Sequence, residues 1–432
     1  MKPWKFLAWF GIYLSLCPPS FGVIGYINQT FHPGFSLRAT QLTAVPNVVS
    51  NHLVTATNGL TLFKMAYKGF EANNYLYGWD YPDMPLEPGE AWFIKNPTES
   101  DIHETIVGEV ADGTNSLPAG FFACSSIFPQ AGLLQTDLLF PAQEGDQVYL
   151  FDESNQVYSA PCAYSLGAWT PSQPNVGVAQ SFWGRKDSSA DWIREADIDG
   201  SDLPSFHVTQ PPLAWTVAQL NFFTYNVDPL YGRVYGRDGV TPLGSGYAAQ
   251  VYAGTEPHDD SAYVPLGSSV LFPDGARAGY GSANSIEVPF LPGGNEGVYV
   301  QLRAWDVMRG ATYEAAAASG ALCGKSIAFK LTAHAILEDG HPGIPPPDVN
   351  LFPSFRLGSI PVITSIDRGP GAAMVWGRGI GTSSYVLEGA TNMIFPVWTT
   401  QDVWTSGSDG SVLLLDYDAS NHPVRFYRMS EP

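Results

Sequence analysis

Between Leu60 and Pro97 short apolar runs alternate with turn residues: Leu62-Phe63, then Tyr75-Leu76-Tyr77-Gly78-Trp79, then Leu86-Glu87-Pro88-Gly89-Glu90-Ala91-Trp92-Phe93-Ile94. Runs this short, rich in aromatic residues and bounded by Gly, Pro and Asp, read as strands. The same order returns in Val148 to Phe151, Tyr164 to Trp169 and Val176 to Trp183, and Gly34-Phe35-Ser36-Leu37 is echoed by Gly120-Phe121-Phe122-Ala123. Residues 23–112 and 113–203 therefore read as two copies of one β repeat, offset by roughly ninety positions. Glu87-Pro88-Gly89-Glu90 reads as a type II turn, Pro presetting φ and Gly supplying φ > 0. The second copy keeps Gly177 behind Val176, so its turn is expected to rest on that glycine alone. Trp79, Trp92, Trp169 and Trp183 fall at equivalent or nearly equivalent places and are expected to build one core that the copies share. The alternative role for Trp79, Tyr81, Trp92, Trp169 and Trp183 is a stacking platform for sugar rings.

Residues 204–340 read as a second kind of module, with strands at Val217 to Tyr225, Tyr247 to Tyr252, Ser285 to Phe290, Val298 to Trp305 and Ser326 to Thr332. One helix is predicted over Tyr313 to Ala318, capped by Thr312 and ended by Gly320. The segment Gly320 to Ser326 is one residue short of a P-loop and leaves a helix to enter a strand, the reverse of a phosphate-binding loop. Residues 341–358, with Pro345-Pro346-Pro347, are expected to be a stiff extended linker that few contacts cross. Residues 359–432 carry strand signals at the spacing of a small sandwich. The N-terminal residues 1–22 have the pattern of a secretory signal: Lys2 and Lys5, an apolar run from Phe6 to Leu16, and Ser20-Phe21-Gly22 as the cleavage site. The chain is thus expected to be exported, to the periplasm, the cell surface or beyond, with no membrane insertion after signal cleavage.

Three resemblances follow from these motifs. The Gly-aromatic strands with the Pro-Gly-x-x-aromatic turn resemble a β repeat found in tandem in exported bacterial proteins. The blocks Ala249-Gln250-Val251-Tyr252-Ala253-Gly254, Val300-Gln301-Leu302-Arg303-Ala304-Trp305 and Gly310-Ala311-Thr312-Tyr313-Glu314-Ala315 are similar to a module of uncharacterised exported proteins of verrucomicrobial type. Tyr385 to Glu388, Thr391-Asn392, Trp398-Thr399 and Phe426 to Arg428 look like the landmarks of a fibronectin type III-like terminal module. These resemblances imply an all-β modular protein of the cell exterior and carry no catalytic residues over. No apolar or basic sorting tail follows Arg428, so anchoring of the PEP-CTERM kind is not expected.

Composition agrees with that picture. The 432 residues include 44 Gly and 35 Pro, with 13% aromatic and only 14% charged residues, which suits many short strands and tight turns better than long surface helices. A formal charge of -20 leaves no basic patch to displace counterions, which excludes nucleic acid as a partner. The expected role is a non-catalytic surface, adhesive or matrix component, the alternative a carbohydrate-binding or carbohydrate-degrading protein, and the expected partner a polysaccharide or a cell-surface protein.

Reactive constellations are sparse. None of the eight histidines forms a His-x-x-x-His pair, no Gly-x-Ser-x-Gly elbow occurs, and a strand separates Cys323 from His334. No catalytic residue and no cofactor are implied. Asp197, Asp199 and Asp202 alternate around a Gly turn as calcium ligands do, but the glycine comes too early for an EF-hand loop and no closing Glu follows, so a solvated link is the expectation. Without the signal, Cys124, Cys162 and Cys323 remain; Cys124 and Cys162 are either bridged or buried as small apolar groups.

Overall fold

Strands account for 51% of the described residues and helices for 4%, so the alternating runs do fold as an all-β, sandwich-like protein. The structure, a computed structural model, describes residues 22–195, 203–257, 262–291, 297–319, 321–333, 342–358, 362–369, 371–378, 384–392, 397–407 and 411–430. Residues 1–21 of the signal-like segment, Asp197, Asp199, Asp202, Gly320 and His334 lie outside the described residues.

The first stretch builds a four-stranded antiparallel sheet in the order Gly34–Ala39, Ala91–Asn96, Thr61–Ala66, Gly69–Asn74. The second builds a five-stranded sheet in the order Gly120–Cys124, Phe182–Lys186, Gln147–Tyr149, Cys162–Ser165, Ala168–Thr170. Phe63 faces Phe93 across the first sheet as Tyr149 faces Trp183 across the second. The stretches also touch reciprocally. Arg38 bridges to Gln180 and Glu90 to Cys124; Ala39 N donates to Ala179 O and Ser125 N to Gly89 O, both at 2.9 Å. Gln29 Nε2 reaches Ala39 O, and Asn115 Nδ2 reaches Ser125 O in the matching place.

The two stretches do pack on one another, but of the four predicted tryptophans only Trp183 takes part. The cluster between them joins Leu37, Phe63, Phe70 and Phe93 to Ala123, Tyr149, Phe151 and Trp183. Phe93 meets Phe151 edge-on at 5.3 Å. Trp79 and Trp92 belong to a separate cluster on the other face of the first sheet, and Trp169 to one within the second. The reason is the two-residue period of a strand, which sends neighbouring side chains to opposite faces. In the pairing register Trp92 matches Phe182, and Trp183 matches Phe93. A second correction concerns the turns. Glu90 N bonds to Glu87 O at 3.1 Å with Gly89 at φ +81°, as expected, whereas in the second stretch Gln180 N bonds to Gly177 O at 3.2 Å and the positive φ of 57° falls on Ala179. Gly177 opens that turn instead of bending it.

The chain does not leave this core at residue 203. Ser205–Thr209 runs parallel to Asp112–Leu117, so close at Gly113 that a Cβ there would lie 2.0 Å from Phe206 O. Leu213 and Trp215 enter the cluster between the stretches, with Trp215 Nε1 donating to Ala66 O at 2.7 Å. The middle module begins beyond. Ala218–Phe223 pairs with Ser282–Val288, and Gly297–Asp306 is flanked by Tyr247–Gly254 on one side and by Cys323–Lys325 and Phe329–Thr332 on the other. The predicted helix spans Tyr313–Ala318, and the Thr312 hydroxyl accepts from Ala315 N at 3.2 Å.

The proline-rich stretch is not a free linker. It is extended, as three successive prolines dictate, but Val349, Phe352 and Leu357 are fully buried beside Leu220 and Phe222. Asn221 N donates to Pro347 O at 2.9 Å, and Phe355–Arg356 pairs in parallel with Val234–Tyr235. The apolar residues that follow the prolines outweigh the stiffness argument, since burying each such side chain is worth ~1.5–3 kcal/mol. The C-terminal region has two three-stranded sheets, Val362–Gly369 with Ala372–Arg378 and Ser411–Asp416, and Thr399–Thr405 with Ser384–Ala390 and Phe426–Ser430, packed around Val375, Tyr385, Leu387 and Leu414.

Candidate functional site

Of the five nominated aromatic residues only Tyr81 faces solvent, at 46% exposure; Trp79, Trp92, Trp169 and Trp183 are buried. Trp92 Nε1 donates to the Thr40 hydroxyl and Trp169 Nε1 to Gln135 Oε1, so both polar handles are also spent inside. Tyr81 sits on the wall of an open cleft of about 540 Å³, formed with Glu71, Asp80, Pro82, Asp83, Met84, Pro85 and Asn284.

The wall is rigid because its backbone is held from four directions. Asn73, fully buried, donates its amide to Tyr81 O at 2.7 Å and accepts from Tyr81 N at 3.0 Å. The start of the short helix Val49–His52 supplies two otherwise orphaned donors, Val49 N to Met84 O and Ser50 N to Pro82 O. Lys64 Nζ donates to Pro85 O and pairs with Glu90, each at 2.9 Å. Burial pushes the Glu90 carboxyl above its usual range, opposed by that same lysine. Leu86 N donates to Asn47 O at 3.1 Å and closes the loop.

The floor belongs to two parts of the chain. Asp80 accepts from Arg277, from the Ser282 hydroxyl and from Asn74 Nδ2, while Asn284 Oδ1 accepts from Ala72 N at 2.7 Å. The cleft is therefore lined from both the first stretch and the middle module. Glu71 and Asp83 present exposed carboxylates beside the Tyr81 ring and two prolines. An aromatic face flanked by acceptors suits a polyhydroxylated ring, which stacks and donates hydrogen bonds.

The chain matches no known protein family, no curated protein and no solved structure.

The remaining sequence candidates separate cleanly. Cys124, Cys162 and Cys323 are all free thiols. Two strands lie between Gly120–Cys124 and Cys162–Ser165, which sets them about 14 Å apart at normal strand spacing, beyond the reach of a disulfide. Burial raises both thiols, Cys124 far above its ordinary value. Cys323 is pushed up to about 12, by burial first and then by Asp306 and Glu314, so it carries no thiolate near neutral pH. No group of three or more metal-ligating side chains comes together among the described residues.

The three motif blocks of the middle module do converge. The Arg303 guanidinium lies 4.1 Å from the Tyr252 ring centre and 5.3 Å from that of Tyr313. Tyr252 Oη donates to Glu314 Oε2 at 3.0 Å, Arg303 pairs with Glu314 Oε1 at 3.3 Å, and Trp305 Nε1 donates to Gly310 O at 3.0 Å. This knot fastens the helix to the sheet. Sequence reasoning missed Glu71, Asp83 and Asn284; the available signal was the pair of prolines around Tyr81 to Pro85, which stiffens an exposed loop.

Proposed function

We propose that the protein is an exported, modular β protein with a non-catalytic role as a surface, adhesive or matrix component. The observation that carries this reading is where the tryptophans are spent: four candidates for ligand stacking are committed to cores and to the contact between the first two stretches. In this reading residues 23–112 and 113–203 are copies of one repeat that fold together, extended by the strand and Trp215 that follow. The reciprocal bonds at Gly89 and Ala179 support a common ancestry for the two. The C-terminal part is taken as fibronectin type III-like, because its spaced landmarks meet: Arg428 pairs with Glu388 at 2.7 Å and lies 4.6 Å from the Trp398 ring centre. No helix among the described residues is long and apolar enough to cross a membrane, which accords with a chain that is not inserted by helices.

The second reading, carbohydrate binding, has one specific observation in its favour, the Tyr81 cleft. Retention of the purified chain on a glycan array and on insoluble polysaccharides tests both. Absence of retention supports the scaffold reading. Retention lost on Tyr81→Ala, with the melting temperature unchanged, replaces it with the carbohydrate reading.

A further inference from the structure

Lys186 and Asp146 are the most completely buried ion pair among the described residues, with side chains 0% and 1% exposed. Strand pairing places them opposite one another, one step beyond the Gln147 and Arg185 pair of the second sheet. Lys186 Nζ lies 2.5 Å from Asp146 Oδ2 and 3.0 Å from Pro141 O, with the Phe140 ring centre 5.1 Å away. Oδ2 also accepts from Gln143 N at 2.9 Å, whereas Oδ1 is buried with no partner. The surroundings are apolar: Leu138, Phe140, Val148 and Phe182 share one cluster.

An apolar pocket disfavours the charge of the Asp146 carboxylate. Condensation requires one proton to pass from the ammonium to that carboxylate, giving an amine beside an acid. Burial raises the Asp146 carboxyl, in the direction that transfer needs. The amine then carries a lone pair within contact distance of a carboxyl carbon, in a geometry held by both strands, and such positioning substitutes for a high concentration of reactant.

We propose that Lys186 and Asp146 condense to an intramolecular amide that cross-links adjacent strands of the second sheet. Nζ attacks Cγ and the N–Cγ bond forms. Oδ2, which faces Nζ, takes the proton first transferred and a second one from Nζ, and leaves as water as the Cγ–Oδ2 bond breaks, while Oδ1 stays as the amide oxygen. Ammonium and carboxylate become amide and water, so no oxidant, metal or other reactant is required. The proposal is independent of whether the protein binds carbohydrate.

The test is peptide mapping of the purified, folded full chain after denaturation. Trypsin does not cut at an acylated lysine. The expected result is a branched peptide joining the segments around Asp146 and Lys186, one water lighter than the sum of its parts, with tandem mass spectrometry locating the junction at those two side chains. It is absent from Lys186→Met and Asp146→Ala. Recovery of the wild-type Lys186 and Asp146 peptides only in linear, unmodified form overturns the proposal and leaves an ion pair. The wild-type map decides the matter even where a variant fails to fold.

Discussion

At the outer edge of the first sheet, Gly69–Asn74 pairs with no further strand among the described residues. Its Phe70 and Ala72 N–H groups are instead accepted by the side-chain amides of Gln219 and Asn284, at 2.9 and 2.7 Å, both from the middle module. At the matching edge of the second sheet, Cys162–Ser165 turns back through Leu166 and Gly167, both at positive φ, onto the added strand Ala168–Thr170. Glu144 accepts from both turn N–H groups at 2.9 Å. An exposed strand edge invites pairing with other chains, and these are two remedies for it. The first makes one sheet depend on a neighbour; the second is self-contained. Interior positions diverge as well. Where the second sheet sets Asp146 opposite Lys186, the first has Leu60 and Asn96, both buried and uncharged. The same strand order therefore tolerates an apolar and amide pair or an ionisable one at the same site.

The largest test concerns the core that joins the sheets. Phe93→Ala and Trp183→Ala should each cost ~3–5 kcal/mol in denaturant melts, and the double variant should cost less than the sum because both line one cluster. Trp92→Ala should be equally costly alone yet additive with Trp183→Ala; coupling between those two would break the assignment of Trp92 to a separate cluster.

Next come the edges. Gln219→Ala or Asn284→Ala strands a main-chain N–H of the first sheet and should cost ~1–3 kcal/mol, whereas Glu144→Ala at the exposed hairpin should cost under ~1 kcal/mol. Equal losses would erase the difference between borrowed and self-made edges.

A pH effect should arise from a histidine of the first stretch. His52 is 1% exposed, its ring nitrogens have no partner, and burial lowers it from 6.5 to about 4. The unfolded chain then binds the proton more readily, so the contribution is full above pH 6.5 and is lost as pH falls towards 4. Between pH 7 and pH 5 that amounts to roughly 2 kcal/mol, and His52→Gln should flatten the dependence in thermal melts.

The smallest effect has opposite signs in the two turns. Ala179→Gly relieves a left-handed alanine and should stabilise by about 0.5 kcal/mol after the entropy of glycine is counted. Gly89→Ala should destabilise, since its Cβ would lie 2.7 Å from Asn115 Nδ2. Differential scanning calorimetry of the two variants resolves the signs.

The legible part of this fold was local. Apolar runs mark five strands of the middle module but not the eight-residue Val264–Leu271, nor the short Val234–Tyr235 and Cys323–Lys325, while Thr312 with its alanine run locates the helix to the residue. What failed depended on register or on distant partners. Trp92 and Trp183 look alike in sequence, but a one-residue offset in the strand pairing turns them to opposite faces. Three prolines announce an extended chain, yet only the tertiary structure shows Val349, Phe352 and Leu357 filling a core behind them. The cleft was half legible: Tyr81 could be nominated, while Asn284 reaches it from more than two hundred positions away.

That span also bears on the order in which the chain can complete itself. A polypeptide made from its N terminus finishes the first sheet's strands by Asn96, but Ala72 waits for Asn284, 212 positions later, and Lys95 for Asp348, 253 later. Contacts of such separation form late and slowly. Through most of synthesis the nascent chain therefore carries an open β edge, until Asn284 emerges, and an unpaired lysine, until Asp348 follows just ahead of the C-terminal sheets.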